Sequence, residues 1–213
     1  MTIDVYADIA CPWCYVGRAR LKKALAQRPA LNVTLQWRPF QLQPDLPPEG
    51  RDFRPVLEKK FGSWDRVQQM FDRIRQMGSE DDLTFDFDAI EVAPNTTDAH
   101  RLVLWAQDRG EGDAMATALF RAYFSEGRNV SDRDVLVACA NKVGLDAETA
   151  RTVLEGEEYT DEVRTSQQQA QRQGITGVPC YVFDGEHAVM GAQSAETMTE
   201  ALDAAATEAT AND

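Results

Sequence analysis

The hydrophobic pattern of this chain changes period twice. From Ile3 to Ile9 the residues are largely apolar and partly β-branched, the signature of a central strand. Past Cys11-Pro12-Trp13-Cys14, the apolar positions Val16, Leu21, Ala24 and Leu25 recur at roughly helical spacing with Lys and Arg between them. This predicts a helix over Cys14–Gln27, ended by Pro29. Between Val33 and Phe40, Val33, Leu35 and Trp37 alternate with Thr34, Gln36 and Arg38, which predicts a second strand. The chain therefore opens as strand, CxxC, helix, strand.

The stretch Gln43–Arg51, with three prolines and a glycine, reads as a boundary. Beyond it the period is helical, with helices expected near Phe53–Phe61, Trp64–Met77, Thr97–Arg109, Asp113–Ser125, Asp132–Val143, Ala147–Glu155 and Tyr159–Gln173. Gly62, Gly78, Gly110, Gly127, Gly144 and Gly174 are placed to end helices, and Ser131 and Asp146 to cap them. Strand character returns after Gly177, as Cys180–Phe183, a turn at Asp184–Gly185, and His187–Met190. A last helix is expected over Ala195–Thr207, with a frayed Ala/Thr-rich tail. The order β-α-β, helical block, β-β-α predicts an α/β protein of thioredoxin-like fold with a large inserted α-helical domain. Residues 1–42 and 165–213 form the first part of this expected division, and residues 43–164 the insertion.

Composition narrows the function. The 213 residues are 43% hydrophobic and 27% charged, as in an ordinary globular chain. Their net charge of −13 repels phosphate backbones and anionic lipid, so neither nucleic acid nor membrane is an expected partner. The start MTIDVYADIACPWC has no basic region followed by an apolar run and a small-residue cleavage site, and no apolar run approaches a membrane span. A cytoplasmic protein is the expectation. The four cysteines, Cys11, Cys14, Cys139 and Cys180, are too few and too irregularly spaced for a disulfide scaffold, so the CxxC points to redox or metal chemistry.

A cysteine where a strand gives way to a helix sits at the helix N-terminus, where unpaired N–H groups and the macrodipole favour the thiolate. Pro12 suits the first helical position because its missing N–H has no partner there. Cys14 follows one turn on, placed to attack a mixed disulfide at Cys11. A zinc site would need two further ligands from Cys139, Cys180, His100 and His187, which form no second paired motif, so no metal is expected. Gly177-Val178-Pro179 precedes the third strand; local sequence alone favours a trans proline there.

CPWCYVG, PFQLQP (Pro39–Pro44), APNTTDAHRL (Ala93–Leu102) and ITGVPCYVFDGEHAVMGAQ (Ile175–Gln193) together resemble the DsbA-like thioredoxin superfamily. More narrowly they are similar to its FrnE-type oxidoreductases, relatives of 2-hydroxychromene-2-carboxylate isomerases. The resemblance covers nearly the whole chain. It implies a protein disulfide oxidoreductase in which Cys11 attacks and Cys14 resolves, and a cis-Pro179 facing the CxxC. It further implies that Val178 pairs its backbone with an extended substrate, as in strand addition. Pro12, Trp13 and Phe40 would line the same groove, while Asn95 and His100 would sit on a helix roofing it. No tightly bound cofactor is implied beyond the redox-active Cys11–Cys14 disulfide, with glutathione as a co-substrate. The partners would be protein or small-molecule thiols and disulfides, and the protein a monomer or homodimer.

Two auxiliary residues stand out. Asp8 reads as a turn-forming acid or as a proton acceptor for Cys14. Cys180, directly after the loop proline, reads as an inert buried strand residue or as a third thiol near Cys11. The isomerases typically have serine where this chain has Cys11, and keeping both cysteines favours redox chemistry. The competing functions are a glutathione-dependent isomerase of an aromatic or polyketide-type compound, and a non-catalytic chaperone or soft-metal-binding protein.

Overall fold

In the computed structural model, which describes residues 1–211, the strand pattern yields β1 (Thr2–Ala7) and β2 (Thr34–Pro39), joined through helix α1 (Pro12–Ala26). Then come β3 (Arg51–Asp52), α2 (Phe53–Phe61), α3 (Trp64–Glu80), β4 (Val92–Ala93), α4 (Thr97–Gln107), α5 (Gly112–Phe124), α6 (Arg133–Lys142), α7 (Ala147–Glu155) and α8 (Thr160–Arg172). The chain closes with β5 (Cys180–Phe183), β6 (His187–Met190) and α9 (Ala195–Ala211). The α/β class and thioredoxin-like architecture are as the sequence predicts.

The main sheet runs β2-β1-β5-β6. β1 and β2 are parallel, with Val5 opposite Trp37, and β5 is antiparallel to β1, with Tyr181 opposite Val5. Alternation then sorts the side chains. Ile3, Val5, Trp37, Tyr181 and Phe183 enter the larger core, shared with Leu21 of α1 and Met198 and Leu202 of α9. Tyr6 and Cys180 point to the other face, into a smaller cluster with Phe40, Ala170 and Ile175. On that face α8 packs against β2, and Gln173 accepts a hydrogen bond from the Tyr6 hydroxyl at 3.0 Å. The expected boundary between residues 164 and 165 falls inside α8.

Five of the six expected helix-ending glycines take positive φ, the conformation that favours glycine: Gly62, Gly110, Gly127, Gly144 and Gly174. Gly78 is different, because it lies inside α3. A Cβ there would stand 2.5 Å from Cε2 of Phe85, so this glycine admits a ring rather than ending a helix. Two further expectations need correction. Asp132, not Ser131, caps α6 through the Asp134 N–H, while the Ser131 hydroxyl accepts from the Asn95 N–H. The final helix does not fray at Thr207 but continues to Ala211, and the remaining tail lies outside the described residues. The two-residue ladder β3–β4 went unpredicted, since two residues carry no period.

Phe85 belongs to a packed aromatic array: it stacks on Phe87 at 5.3 Å between centroids, and Phe87 stacks on Phe71 at 3.9 Å. An exposed helical glycine usually gains about 1 kcal/mol when replaced by alanine. At Gly78 the sign reverses. Gly78→Ala is expected to lower unfolding free energy by about 1–3 kcal/mol in a denaturant titration, because the array cannot yield cheaply. A stabilised variant would contradict this packing.

Candidate active site

β1 ends at Ala7, and the chain turns through Asp8-Ile9-Ala10 before α1 begins at Pro12. The turn is closed by the Cys11 N–H donating to the Asp8 carbonyl at 3.0 Å, and by the Ala10 N–H donating to Asp8 Oδ1 at 3.2 Å. Cys11 is the N-cap residue in extended backbone geometry. No side chain caps the helix, and its first turn carries no acid. The position that usually holds a capping oxygen thus holds a sulfur, at the positive end of the helix macrodipole.

Cys11 Sγ lies 3.7 Å from the Val178 carbonyl oxygen, and the Val178–Pro179 peptide bond is cis. Both thiols are free; Cys11 is 3% exposed and Cys14 1%. Cys11 is reached through a cavity of about 300 Å³. Its wall is mainly apolar, made by Pro12, Trp13, Leu42, Leu57, Met70, Phe71, Tyr123, Phe124 and Val178, with Lys60 also lining it. Cys14 lies outside this lining, behind Cys11. Burial, followed by its hydrogen bond to Cys11 and the charges of Cys11 and Asp8, pushes the Cys14 thiol well above the ordinary range. At neutral pH Cys14 is therefore a protonated thiol.

Beneath the thiols, the 1%-exposed Asp8 carboxylate accepts from the Leu42 N–H at 2.7 Å through Oδ2. His100 Nε2 stands 3.4 Å from Asp8 Oδ1 without the alignment of a hydrogen bond. Tyr123 donates to the Val92 carbonyl at 3.1 Å. Burial, with the Asp8 charge added, raises its phenol far above the usual value. On the other side of α1 the Tyr181 hydroxyl fills the space a Cβ would occupy at Gly17, against Pro179. Burial first, and then the neighbouring Cys14 and Cys11, keep it protonated.

The expected site residues divide. Cys11, Pro12, Trp13, Val178 and Asp8 line one cavity, with Cys14 and Pro179 packed at its edge. Phe40 does not line it; the ring is buried on the opposite sheet face against Tyr6 and Ile175, and Leu42 takes the wall position instead. Asn95 does not reach the cavity either. Its Nδ2 donates to the Leu46 carbonyl at 2.6 Å and its Oδ1 accepts from the Thr97 N–H at 2.9 Å, so it ties a wall loop to the start of α4. His100 is buried at 3% exposure behind Asp8, not on a roof facing ligand. Cys180 faces away from the CxxC and has its pKa raised by burial alone. Among the described residues, the one cluster with metal-ligand proximity is Glu186, His187 and Glu208, which is exposed and contains no cysteine.

The wall residues Leu42, Leu57, Lys60 and Tyr123 were not singled out by sequence, where each resembles an ordinary core or surface position of its element. Met70, Phe71 and Phe124 fall inside the expected helices Trp64–Met77 and Asp113–Ser125.

The geometry predicts a graded response to a small alkylating agent at neutral pH. Cys11 should be modified first, with Cys14, Cys139 and Cys180 protected until the protein is unfolded, as read by peptide mass spectrometry. Equal labelling of Cys11 and Cys180 in the folded protein would contradict the placement of the cavity.

The chain matches the DSBA-like thioredoxin domain over residues 2–203. A probable DsbA oxidoreductase from Streptomyces coelicolor, known as a crystal structure, is similar with a TM-score of 0.90 and 37% identity, over 98% of this chain and 91% of that one. The 2-hydroxychromene-2-carboxylate isomerase of Sphingobium xenophagum is 23% identical over 190 residues, 87% of this chain and 90% of its own. The cytosolic disulfide reductase DsbM from Pseudomonas aeruginosa, solved with GSH, shares the fold at a TM-score of 0.65 and 22% identity, over 99% of this chain and 98% of that one. The chain belongs to the DSBA-like thioredoxin domain family, as its resemblance to the FrnE-type oxidoreductases implies.

Proposed function

We propose that this protein is a thiol–disulfide oxidoreductase of the cytosol, with Cys11 as nucleophile and Cys14 as resolving thiol. The observation that carries the reading is the position of Cys11. It occupies the uncapped N-terminus of α1, faces the Val178 carbonyl beside Pro179, and is the cysteine that lines the cavity.

In the reductive direction, the Cys11 thiolate attacks one sulfur of a disulfide R–S–S–R′. A Cys11–S–S–R bond forms and R′–S⁻ leaves. Cys14 then gives up its proton and attacks the Cys11 sulfur, expelling R–S⁻ and leaving the Cys11–Cys14 disulfide. The substrate gains two electrons and the pair loses two. The high pKa of Cys14 keeps it a thiol during the first step, so only one nucleophile is active at a time. Glutathione is the proposed co-substrate that returns the pair to its reduced form, in keeping with the GSH bound to the Pseudomonas reductase. Val178 offers its backbone to an extended thiol partner.

A second reading has one specific observation in its favour. An enclosed, mainly apolar cavity of about 300 Å³ beside a reactive thiol also suits a small aromatic compound, and the chain resembles an isomerase. Isomerisation needs no resolving thiol. Single-turnover reaction of the reduced protein with a small symmetrical disulfide separates the two. The wild type should release both thiol halves, whereas Cys14→Ser should release one and retain the other as a mixed disulfide on Cys11. Isomerase turnover that persists in Cys14→Ser, without any trapped adduct, would sink the redox reading.

A further inference from the structure

Lys and Arg number 22 in this chain against 35 Asp and Glu, so a cation without an acidic neighbour calls for an explanation. On α3, Arg75 follows the rule by pairing with Asp72 and Asp88. Arg66 and Arg73 do not: both are exposed, and among the described residues neither guanidinium has a carboxylate within ion-pair distance. Arg66, Gln69, Arg73 and Gln76 recur three and four residues apart and so share one helix face. That face lines a groove whose other wall includes Trp13.

The groove adjoins the cavity at Cys11, with Trp13 and Met70 lining both. Arg66 and Arg73 stand about 10.5 Å apart along the helix axis, and Glu80, the acid lining this groove, lies a further two turns along. On the cavity side, Lys60 adds a third exposed cation without an ion-pair partner among the described residues. A molecule whose sulfur reaches Cys11 thus meets apolar wall first and guanidinium groups beyond Trp13. Cys11 is only 3% exposed, which favours a slender ligand.

We propose that the Arg66–Arg73 face is a carboxylate-binding subsite that selects low-molecular-weight anionic disulfides for attack by Cys11. The proposal rests on the oxidoreductase reading for its chemistry and on the groove for its selectivity. The step is the exchange already described, in which the carboxylate-bearing disulfide takes two electrons and the Cys11–Cys14 pair supplies them. Guanidinium groups suit this role because their planar donors meet a carboxylate with two parallel hydrogen bonds.

Three small disulfides test it: 5,5′-dithiobis(2-nitrobenzoate), a dianion; bis(2-hydroxyethyl) disulfide, neutral; and cystamine, a dication. Rates of thiol release from reduced protein are each normalised to those of free mercaptoethanol in the same buffer. At low salt the wild type should favour the dianion, and each of Arg66→Gln and Arg73→Gln should reduce that preference by about two- to five-fold, the range of an exposed ion pair. Arg66→Lys and Arg73→Lys should retain most of it, and high salt should erase it. Equal effects on all three disulfides would overturn the proposal.

A second measurement is independent of redox chemistry. Cys11→Ser should bind the unreactive thioether 5-(methylthio)-2-nitrobenzoate in equilibrium dialysis, and Arg66→Gln/Arg73→Gln in that background should weaken it. Arginine-dependent binding without thiol release in the parent protein would remove the oxidoreductase reading and leave the subsite standing. Binding indifferent to the arginines, or arginine dependence seen only with a long acidic peptide, would overturn the subsite even with redox activity intact.

Discussion

The Asp8 carboxylate is where the elements around the thiols meet. It sits at the end of β1, accepts from Ala10 ahead of α1, accepts from Leu42 beyond β2, and faces His100 of α4. A buried carboxylate is costly unless its oxygens are satisfied, so the hydrogen bonds from Ala10 and Leu42 are a requirement rather than an ornament. Because Asp8 also accepts from the Cys11 N–H through its carbonyl, the same residue fixes the point at which α1 starts. The position of Cys11 at an uncapped helix end follows from that turn. The nearby negative charge is also among the causes that hold the Cys14 proton in place.

The helical block completes the site from the other side. Tyr15 of α1 stacks on Phe120 at 5.3 Å and meets Phe85 edge-on at 5.6 Å, so α1 is joined to the aromatic array behind the cavity. The segment Asn95–Leu102 works as a clamp. Asn95 holds the loop at Leu46, His100 stands against Asp8, and the buried Arg101 donates to the Glu158 carbonyl at 2.7 Å and to Asp98 Oδ1 at 2.7 Å. A motif that points by resemblance to ligand binding is, by its contacts, a device for holding the wall of the cavity. Asn95 and Arg101 satisfy backbone groups and Asp98, while Thr96 is the polar side chain of the segment that lines the cavity.

Much of this was legible in the sequence, because local chemistry dominates where it was read. The β-α-β opening, the cysteine at the helix start and the turn between β5 and β6 each follow from short-range rules. In that turn Asp184 and Gly185 both take positive φ. The errors share a different cause. Phe40 has the parity of Arg38 rather than of Trp37, so the alternation of β2 itself carries it to the far face of the sheet. The same arithmetic in β5, where Tyr181 and Phe183 take the core positions, turns Cys180 away from Cys11, in line with the inert of its two readings. Gly78 and Asn95 depend on partners distant in sequence, Phe85 across a turn and Leu46 across the helical block. No local window around Asn95 contains Leu46, and the nearness of Phe85 to Gly78 depends on how the chain turns after α3.

The central claim is that Cys11 and Cys14 act as one two-electron couple. Equilibrating the protein in glutathione redox buffers, quenching by alkylation and counting modified thiols by mass spectrometry tests it directly. The account predicts a single reversible transition in which Cys11 and Cys14 are lost and recovered together, while Cys139 and Cys180 remain thiols throughout. A titration in which Cys11 oxidises without Cys14, or in which Cys180 replaces Cys14 as its partner, would contradict it.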